Sequence, residues 1–373
     1  LPSNRVSQFY DLSSPNDGQV KYDHLVLTSG FRERGLKKSL IKKLCLLAAV
    51  GAVFSGSGPA ADAQETVGAS SINMGDLVSV DSPAGSEMPD SDRVPASLLQ
   101  LSSQFSSVLW IELESGVLHL LHRQGNDHTW RPVLSRPVSI GKAGSGKQLE
   151  GDNKTPIGIY SVYEFIGDEK LIDFYGVGAF PLSYPNAWDR LLRRTGSGIW
   201  LHGLPKSVVN RPRLDSEGCV VIDNKTLEWM KRHIEPEHTR VVLGRKMRWA
   251  SAAKNQLLRT SLNQRFKDWL RVWSALDTDA YLNFYHPDFT NGKKDFAQWA
   301  RYKRAVNRSK QWAKVSAQDV NFFMYPGESE LLAMEYRQSY SSNNFRHTGY
   351  KVLFWRRGAN DEWQIIYEGS GRL

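Results

Sequence analysis

Leu214-Asp215-Ser216-Glu217-Gly218-Cys219-Val220-Val221-Ile222-Asp223-Asn224 sets a thiol after a glycine and ahead of an apolar run. Seventeen residues upstream of that thiol, Ile199-Trp200-Leu201-His202-Gly203 ends an apolar strand on a histidine. Glycine before the sulfur permits close backbone approach. A free thiol with a pKa of roughly 8.5 needs a base or an imidazolium beside it to act as a nucleophile near neutral pH. Cys219 and His202 supply that pair, which predicts a Cys219 pKa below the free value. On spacing alone the opposing reading, two unrelated structural residues, is the commoner one. A zinc site is weaker still, because no second cysteine stands near and the other histidines lack ligand spacing; no metal and no cofactor are expected.

Working back along the chain, the only other cysteine is Cys45. It lies in an apolar, uncharged run of 11 residues, 44–54, preceded by the basic segment 31–43 and followed by Ala61-Asp62-Ala63. A basic region, a short apolar core and an Ala-x-Ala site predict a secretory signal over 31–63, cleaved after Ala63. Eleven apolar residues are too few for the roughly 20 that span a bilayer, so no stable membrane span is expected after cleavage. Cys45 would leave with the signal, making Cys219 a lone thiol in an oxidising compartment, where it cannot form an internal disulfide. Residues 1–30 read as a mis-assigned or unstructured start. Residues 64–100, rich in Ser, Gly, Pro and acidic side chains, read as a linker.

The 373 residues include 12 Trp, 14 Tyr and 15 Phe and carry a net charge of +9, which excludes a disordered or fibrous chain and suits an anionic partner. Residues 101–250 show short β-type runs separated by Gly-rich turns, a mostly β domain. Residues 251–373 open with an amphipathic helix over 261–273, continue with 277–285, and turn to strands near 319–325, 330–339, 349–356 and 362–368. Helices followed by antiparallel strands make an α+β domain. Nucleic-acid binding finds no recognition motif and conflicts with export.

Around the thiol the residues resemble the L,D-transpeptidase catalytic-domain family of bacterial cell-wall enzymes. Its signature, His-Gly and then Ser-x-Gly-Cys, is matched by His202-Gly203 and Ser216-Glu217-Gly218-Cys219. Lys154-Thr155-Pro156-Ile157-Gly158 resembles the family's Thr-Pro-x-Gly strand, and Tyr175 to Asn186 and Arg194 to Trp200 follow in order. The resemblance covers about residues 105–245 and implies a β-sandwich-like domain with short helices. It further implies that Cys219 is the nucleophile, His202 the general base, and the Gly203 carbonyl the group orienting the imidazole. Backbone N–H groups around Gly218 and Cys219 would hold the oxyanion, Ser216 would shape the loop or meet the substrate, and Tyr184 and Trp200 would line the cleft. Many members carry Gly-Cys-x-Arg, whereas Val220-Val221 follow Cys219 here. Arg193, Arg194, Arg211 or Arg213 would have to take that arginine's place in binding.

The C-terminal segment resembles the cone-shaped nuclear transport factor two-like superfamily, on Trp269 to Ser274, Phe284 to Phe289 and Trp363 to Glu368. His286 and Asp288 read as turn formers before acid/base groups. Together the two resemblances imply a periplasmic or envelope enzyme acting on the L,D bond of peptidoglycan stem peptides. Transpeptidation and L,D-carboxypeptidase trimming, as in enzymes that influence cell shape, both remain open. The C-terminal domain would position substrate or bind a wall-attached or scaffold protein. The alternative from another class is a non-catalytic wall-binding scaffold.

Overall fold

A computed structural model describes residues 92–125, 128–328 and 330–373; the expected start, the signal with Cys45, and the linker through residue 91 lie outside the described residues. The linker reading of 92–100 is corrected. Two short strands, β1 (Arg93–Pro95) and β2 (Leu98–Gln100), stand there, with Val94, Leu98 and Leu99 buried. Their pairing partners lie at residues 249–251 and 322–323, so nothing in the local composition marks them as strands.

The first domain then runs through β3 (Ser107–Glu112), β4 (Val117–Gln124), β5 (Thr129–Pro137), β6 (Ile140–Gly141), β7 (Gly158–Ser161), β8 (Ile166–Gly167) and β9 (Gly178–Pro181). The helix α1 (Ala187–Leu191), β10 (Trp200–His202), β11 (Leu214–Ser216), β12 (Val220–Val221), the helix α2 (Asn224–Met230), β13 (Arg240–Gly244) and β14 (Trp249–Ser251) follow. One sheet has the order β5-β4-β3-β13-β7 and another β12-β10-β9-β8, with β6 paired to β11 and β1 to β14. Leu109, Ile111, Leu118 and Val241 of the first sheet and Phe180, Leu201 and Val220 of the second share one core. This is the β-sandwich-like layer pair expected for the first domain.

The second domain opens with α3 (Ala252–Ser274), capped by the Ser251 side chain, which accepts from the Lys254 N–H. Its buried Leu262, Phe266, Trp269 and Trp273 recur every three or four residues and cover the sheet. Next come α4 (Thr278–Leu282), β15 (Tyr285–Thr290) and α5 (Phe296–Arg308), the last entered through a capping box between Asp295 and Gln298. Tyr285 therefore starts a strand where a helix through 285 was expected, and α5 went unread. Three long strands, β16 (Ala313–Met324), β17 (Leu331–Ser342) and β18 (Arg346–Arg357), then β19 (Trp363–Ser370), complete a sheet of order β15-β19-β18-β17-β16-β2. Strand β2, which precedes the first domain in sequence, closes the edge of the second domain's sheet.

The two domains share a third core, in which Trp110, Trp188 and Val242 meet Phe323, Leu331 and Phe354. Across it the fully buried Arg240 donates to Glu335 at 2.6 Å, and Trp188 Nε1 donates to Glu328 at 2.7 Å. Desolvation offsets much of a buried pair's attraction, but any docking that separates the two charges is penalised. No helix among the described residues is long and apolar enough to cross a membrane.

Candidate active site

Strands β10 and β12 run parallel, with Leu201 opposite Val220 and His202 opposite Val221. Cys219 directly precedes β12, and its sulfur meets the backbone N–H of Trp200, two residues before His202. Tyr175 stands by both groups, its ring 5.1 Å from that of His202 and its hydroxyl within electrostatic reach of Cys219. Cys219 is partly exposed, and in the resting geometry its thiol donates to the Gly198 carbonyl at 3.5 Å.

The imidazole has one fixed partner. His202 Nδ1 lies 2.7 Å from the Gly203 carbonyl oxygen. A carbonyl only accepts, so Nδ1 carries the proton and Nε2 is left as the acceptor. Gly203 is itself pinned. Its N–H donates to the carbonyls of Tyr175 and Gly178, and a Cβ on it would stand 2.1 Å from Asn224 Oδ1. The Asn224 amide in turn donates to the Leu204 carbonyl.

The cysteine loop is held from two sides. Ser216 Oγ donates to the Cys219 carbonyl at 2.6 Å and accepts from the Gly218 N–H at 3.1 Å. Thr155 Oγ1 donates to the Gly218 carbonyl at 3.0 Å and accepts from the Gly141 N–H at 2.9 Å. Gly218 has φ of 127°, and a Cβ there would lie 2.9 Å from the Lys154 carbonyl oxygen, so the position requires glycine. Of the two readings of Ser216, loop shaping is the one its hydrogen bonds support. The Gly218 N–H, expected in an oxyanion hole, is already committed to Ser216. Among the described residues no acceptor meets the Cys219 N–H.

Burial governs both titrations. It pushes the Cys219 thiol up to about 11, outweighing the Trp200 N–H and the Arg211 charge, which act the other way. It pulls His202 down to about 4, against the Gly203 hydrogen bond, with Arg211 adding to the fall. The expectation of a Cys219 pKa below the free value is therefore overturned, because displaced solvent costs the thiolate more than its neighbours return. At neutral pH the resting pair is a thiol and a neutral imidazole.

Trp200 does stand beside the site: its ring packs 4.9 Å from Tyr175, whose ring is 5.1 Å from His202. Tyr184 does not line the cleft. It is buried in the core of the first domain, with its hydroxyl donating to the Thr195 carbonyl at 3.0 Å. Arg213 is corrected as well, since its guanidinium donates to the Leu113 carbonyl and its methylenes lie against Gly116 in the β3–β4 turn. Arg194 is bound to buried Asp189 at 2.8 Å. Sequence reasoning missed Phe174, Tyr175 and Thr155 as site residues. The first two sit on a 3-10 turn over Asp173–Tyr175 that shows no periodicity.

A cavity of about 670 Å³ opens in the C-terminal domain between α5 and the sheet. Inside it Lys303 Nζ lies 4.4 to 4.9 Å from the rings of Trp273, Trp299 and Tyr281. Buried Glu368 bonds Lys351 at 3.3 Å and the Tyr285 hydroxyl at 2.7 Å. His286 and Asp288 sit on β15, where the Asp288 N–H donates to His286 Nδ1.

Residues 106–243 match the L,D-transpeptidase catalytic domain, and residues 261–369 match the Cds6 C-terminal NTF2-like domain. The chain carries both domains, in that order. Among solved structures, this L,D-transpeptidase-domain protein is similar to Bd1075 of Bdellovibrio bacteriovorus, at 27% identity and a TM-score of 0.63, over 76% of this chain and 99% of that one. It is likewise similar to the helical cell shape determining protein Pgp2 of Campylobacter jejuni, at 25% identity and a TM-score of 0.63, over 74% of this chain and 95% of that one. No curated protein matches it at a significant level.

Proposed function

We propose that this protein is an exported peptidoglycan-modifying enzyme that forms an acyl-enzyme on Cys219 at the L,D bond of a stem peptide. The observation that supports the reading is the nearness of the two groups: the Trp200 N–H, two residues before His202, meets the Cys219 sulfur, and the Gly203 carbonyl defines the acceptor nitrogen of His202. As the sulfur attacks the carbonyl carbon of the third stem residue, His202 Nε2 takes the thiol proton. Collapse of the tetrahedral intermediate breaks the C–N bond, and the imidazolium returns the proton to the amine of the departing fourth residue. The Cys219 N–H, which meets no acceptor among the described residues, would donate to the oxyanion. The thioester then passes to an acceptor. With water, His202 takes a proton from the attacking water and returns it to the sulfur as the C–S bond breaks, giving a tripeptide stem and the free thiol; with an amine, a cross-link or a protein attachment forms.

Water is the favoured acceptor. The absence of an arginine after Cys219 and the presence of a second domain favour hydrolysis, and the likeness over both domains to a protein named for determining helical cell shape supports a role in cell shape. The C-terminal domain would then position substrate or bind a wall-attached or scaffold protein. The test incubates wild type and Cys219→Ala with disaccharide-tetrapeptide, with and without an acceptor stem, and resolves the products by mass. Tripeptide plus free D-Ala from wild type alone is the expected result, and a cross-linked dimer would assign transfer instead. Identical products from wild type and Cys219→Ala would remove the catalytic reading and leave the scaffold.

A further inference from the structure

The arginine that often follows the family's cysteine is replaced here by Val220-Val221, two buried strand residues. Arg211 approaches the same chemistry from another loop. Its Nε donates to Asp215 Oδ2 and its Nη2 to the Asp215 carbonyl, both at 2.7 Å, which locks the plane of the guanidinium. Its Nη1 is covered and makes no hydrogen bond. Buried polar groups are nearly always paired, so a held fork with one unmade donor needs an explanation. Asp215 is 49% exposed, and the Arg211 charge is still felt at both Cys219 and His202.

Its surroundings say which side of the scissile bond the fork faces. The guanidinium carbon lies 5.8 Å from the Phe174 ring, and that ring lies 5.7 Å from the His202 ring. Phe174 is 45% exposed, so the ring beside the guanidinium is itself open to solvent. His202 protonates the departing amine in the reaction above, which puts Phe174 and Arg211 on the leaving-group side. The residue leaving a tetrapeptide stem carries a free carboxylate, the group that an arginine fork binds best.

Resting on the L,D-cleavage reading, we propose that Arg211 is the specificity-determining anchor for the terminal carboxylate of the departing residue. The enzyme thereby selects stems that end one residue beyond the scissile bond.

The test uses a synthetic stem tetrapeptide with a free terminal carboxylate and the same peptide as its terminal amide. Wild type is expected to favour the acid in kcat/KM by about tenfold to a hundredfold, the size of one charge-assisted hydrogen bond, chiefly through KM. Arg211→Gln should bring the two peptides within about threefold of each other, and Arg211→Lys should restore part of the preference. Binding to Cys219→Ala, measured by calorimetry, reads the anchor without chemistry. Tighter binding of the acid that disappears in the Cys219→Ala/Arg211→Gln protein supports the anchor even if wild type turns over neither peptide, a result that would sink the catalytic reading alone. Equal binding of acid and amide by Cys219→Ala, or an undiminished preference in Arg211→Gln, overturns the anchor.

Discussion

The catalytic cleft and the C-terminal cavity treat buried charge in opposite ways. In the cleft, His202 has a neutral carbonyl as its fixed partner, and burial pulls its pKa down to about 4. In the cavity, burial also opposes ionisation of Glu368, yet Lys351, Lys303 and the Tyr285 hydroxyl together hold its carboxyl below the usual range. Lys303 is lowered to about 8 by burial against the pull of Glu368, and so stays mostly charged at neutral pH. A counter-charge close by decides whether the charge survives burial at neutral pH. Where it is missing the group rests neutral and is free to take a proton during a reaction; where it is present the charge is kept as part of the architecture.

The largest test of that contrast is His202→Ala. If the imidazole is the base that a neutral thiol needs, kcat should fall by roughly 10³-fold, within the range for general-base removal. Wild-type kcat/KM should be flat from about pH 5 to 9 and fall below that through His202, whose pKa is about 4. An acid limb near 6.5 would mean that burial has not lowered the His202 imidazole from its ordinary value, and would erase the difference between the two sites. Next in size is Glu368→Gln. Removing the carboxylate leaves Lys351 and Lys303 uncompensated, a loss of roughly 3–5 kcal/mol for a broken buried pair, read as a lower urea midpoint. Cleavage of a soluble tetrapeptide by the folded variant should change little.

The pattern of strings and gaps in the chain explains what was legible before the fold was known. His202-Gly203 and Ser216 to Cys219 are contiguous strings, because the base, its carbonyl partner and the nucleophile loop are each set by local backbone geometry. The order of a β domain and an α+β domain was legible for a similar reason, through periodic runs. Pairing between distant residues was not. Strands β1 and β2 acquire their meaning from residues 249–251 and 322–323. The direction of the Cys219 shift depends on how much protein surrounds the sulfur, which no spacing records. Arg211 and Arg213 are two residues apart and chemically alike, and only the fold sends one toward Phe174 and the other to the β3–β4 turn.

Protonation should separate the cavities in stability too. His202 has a folded pKa near 4 against an ordinary 6.5, so the unfolded chain binds that proton more readily and stability falls as pH drops from about 6.5 toward 4. Lys303 has a folded pKa near 8 against 10.5, so here stability rises as pH climbs from about 8 to 10.5. Each shift of about 2.5 units corresponds to about 3 kcal/mol at most. Urea titrations across pH should lose the acid slope in His202→Ala and the alkaline gain in Lys303→Met. A Lys303→Met curve that keeps the full alkaline gain would assign that rise to other groups.

The smallest expected effect probes the support of the cleft. Thr155 is fully buried, and its hydroxyl joins the Gly141 N–H to the Gly218 carbonyl. Valine keeps the shape and removes the oxygen, leaving one buried donor and one buried acceptor unpaired. That costs about 1–3 kcal/mol, toward the lower end where the loop relaxes and water enters. Relaxation of the loop would move the Cys219 N–H away from the oxyanion position, so kcat should drop with KM nearly unchanged. Because Thr155 touches neither cavity's charged groups, Thr155→Val should leave both pH slopes in place. A variant that lost stability but kept wild-type kcat would show that the hydroxyl serves the fold alone, and that the cysteine loop holds its geometry through Ser216.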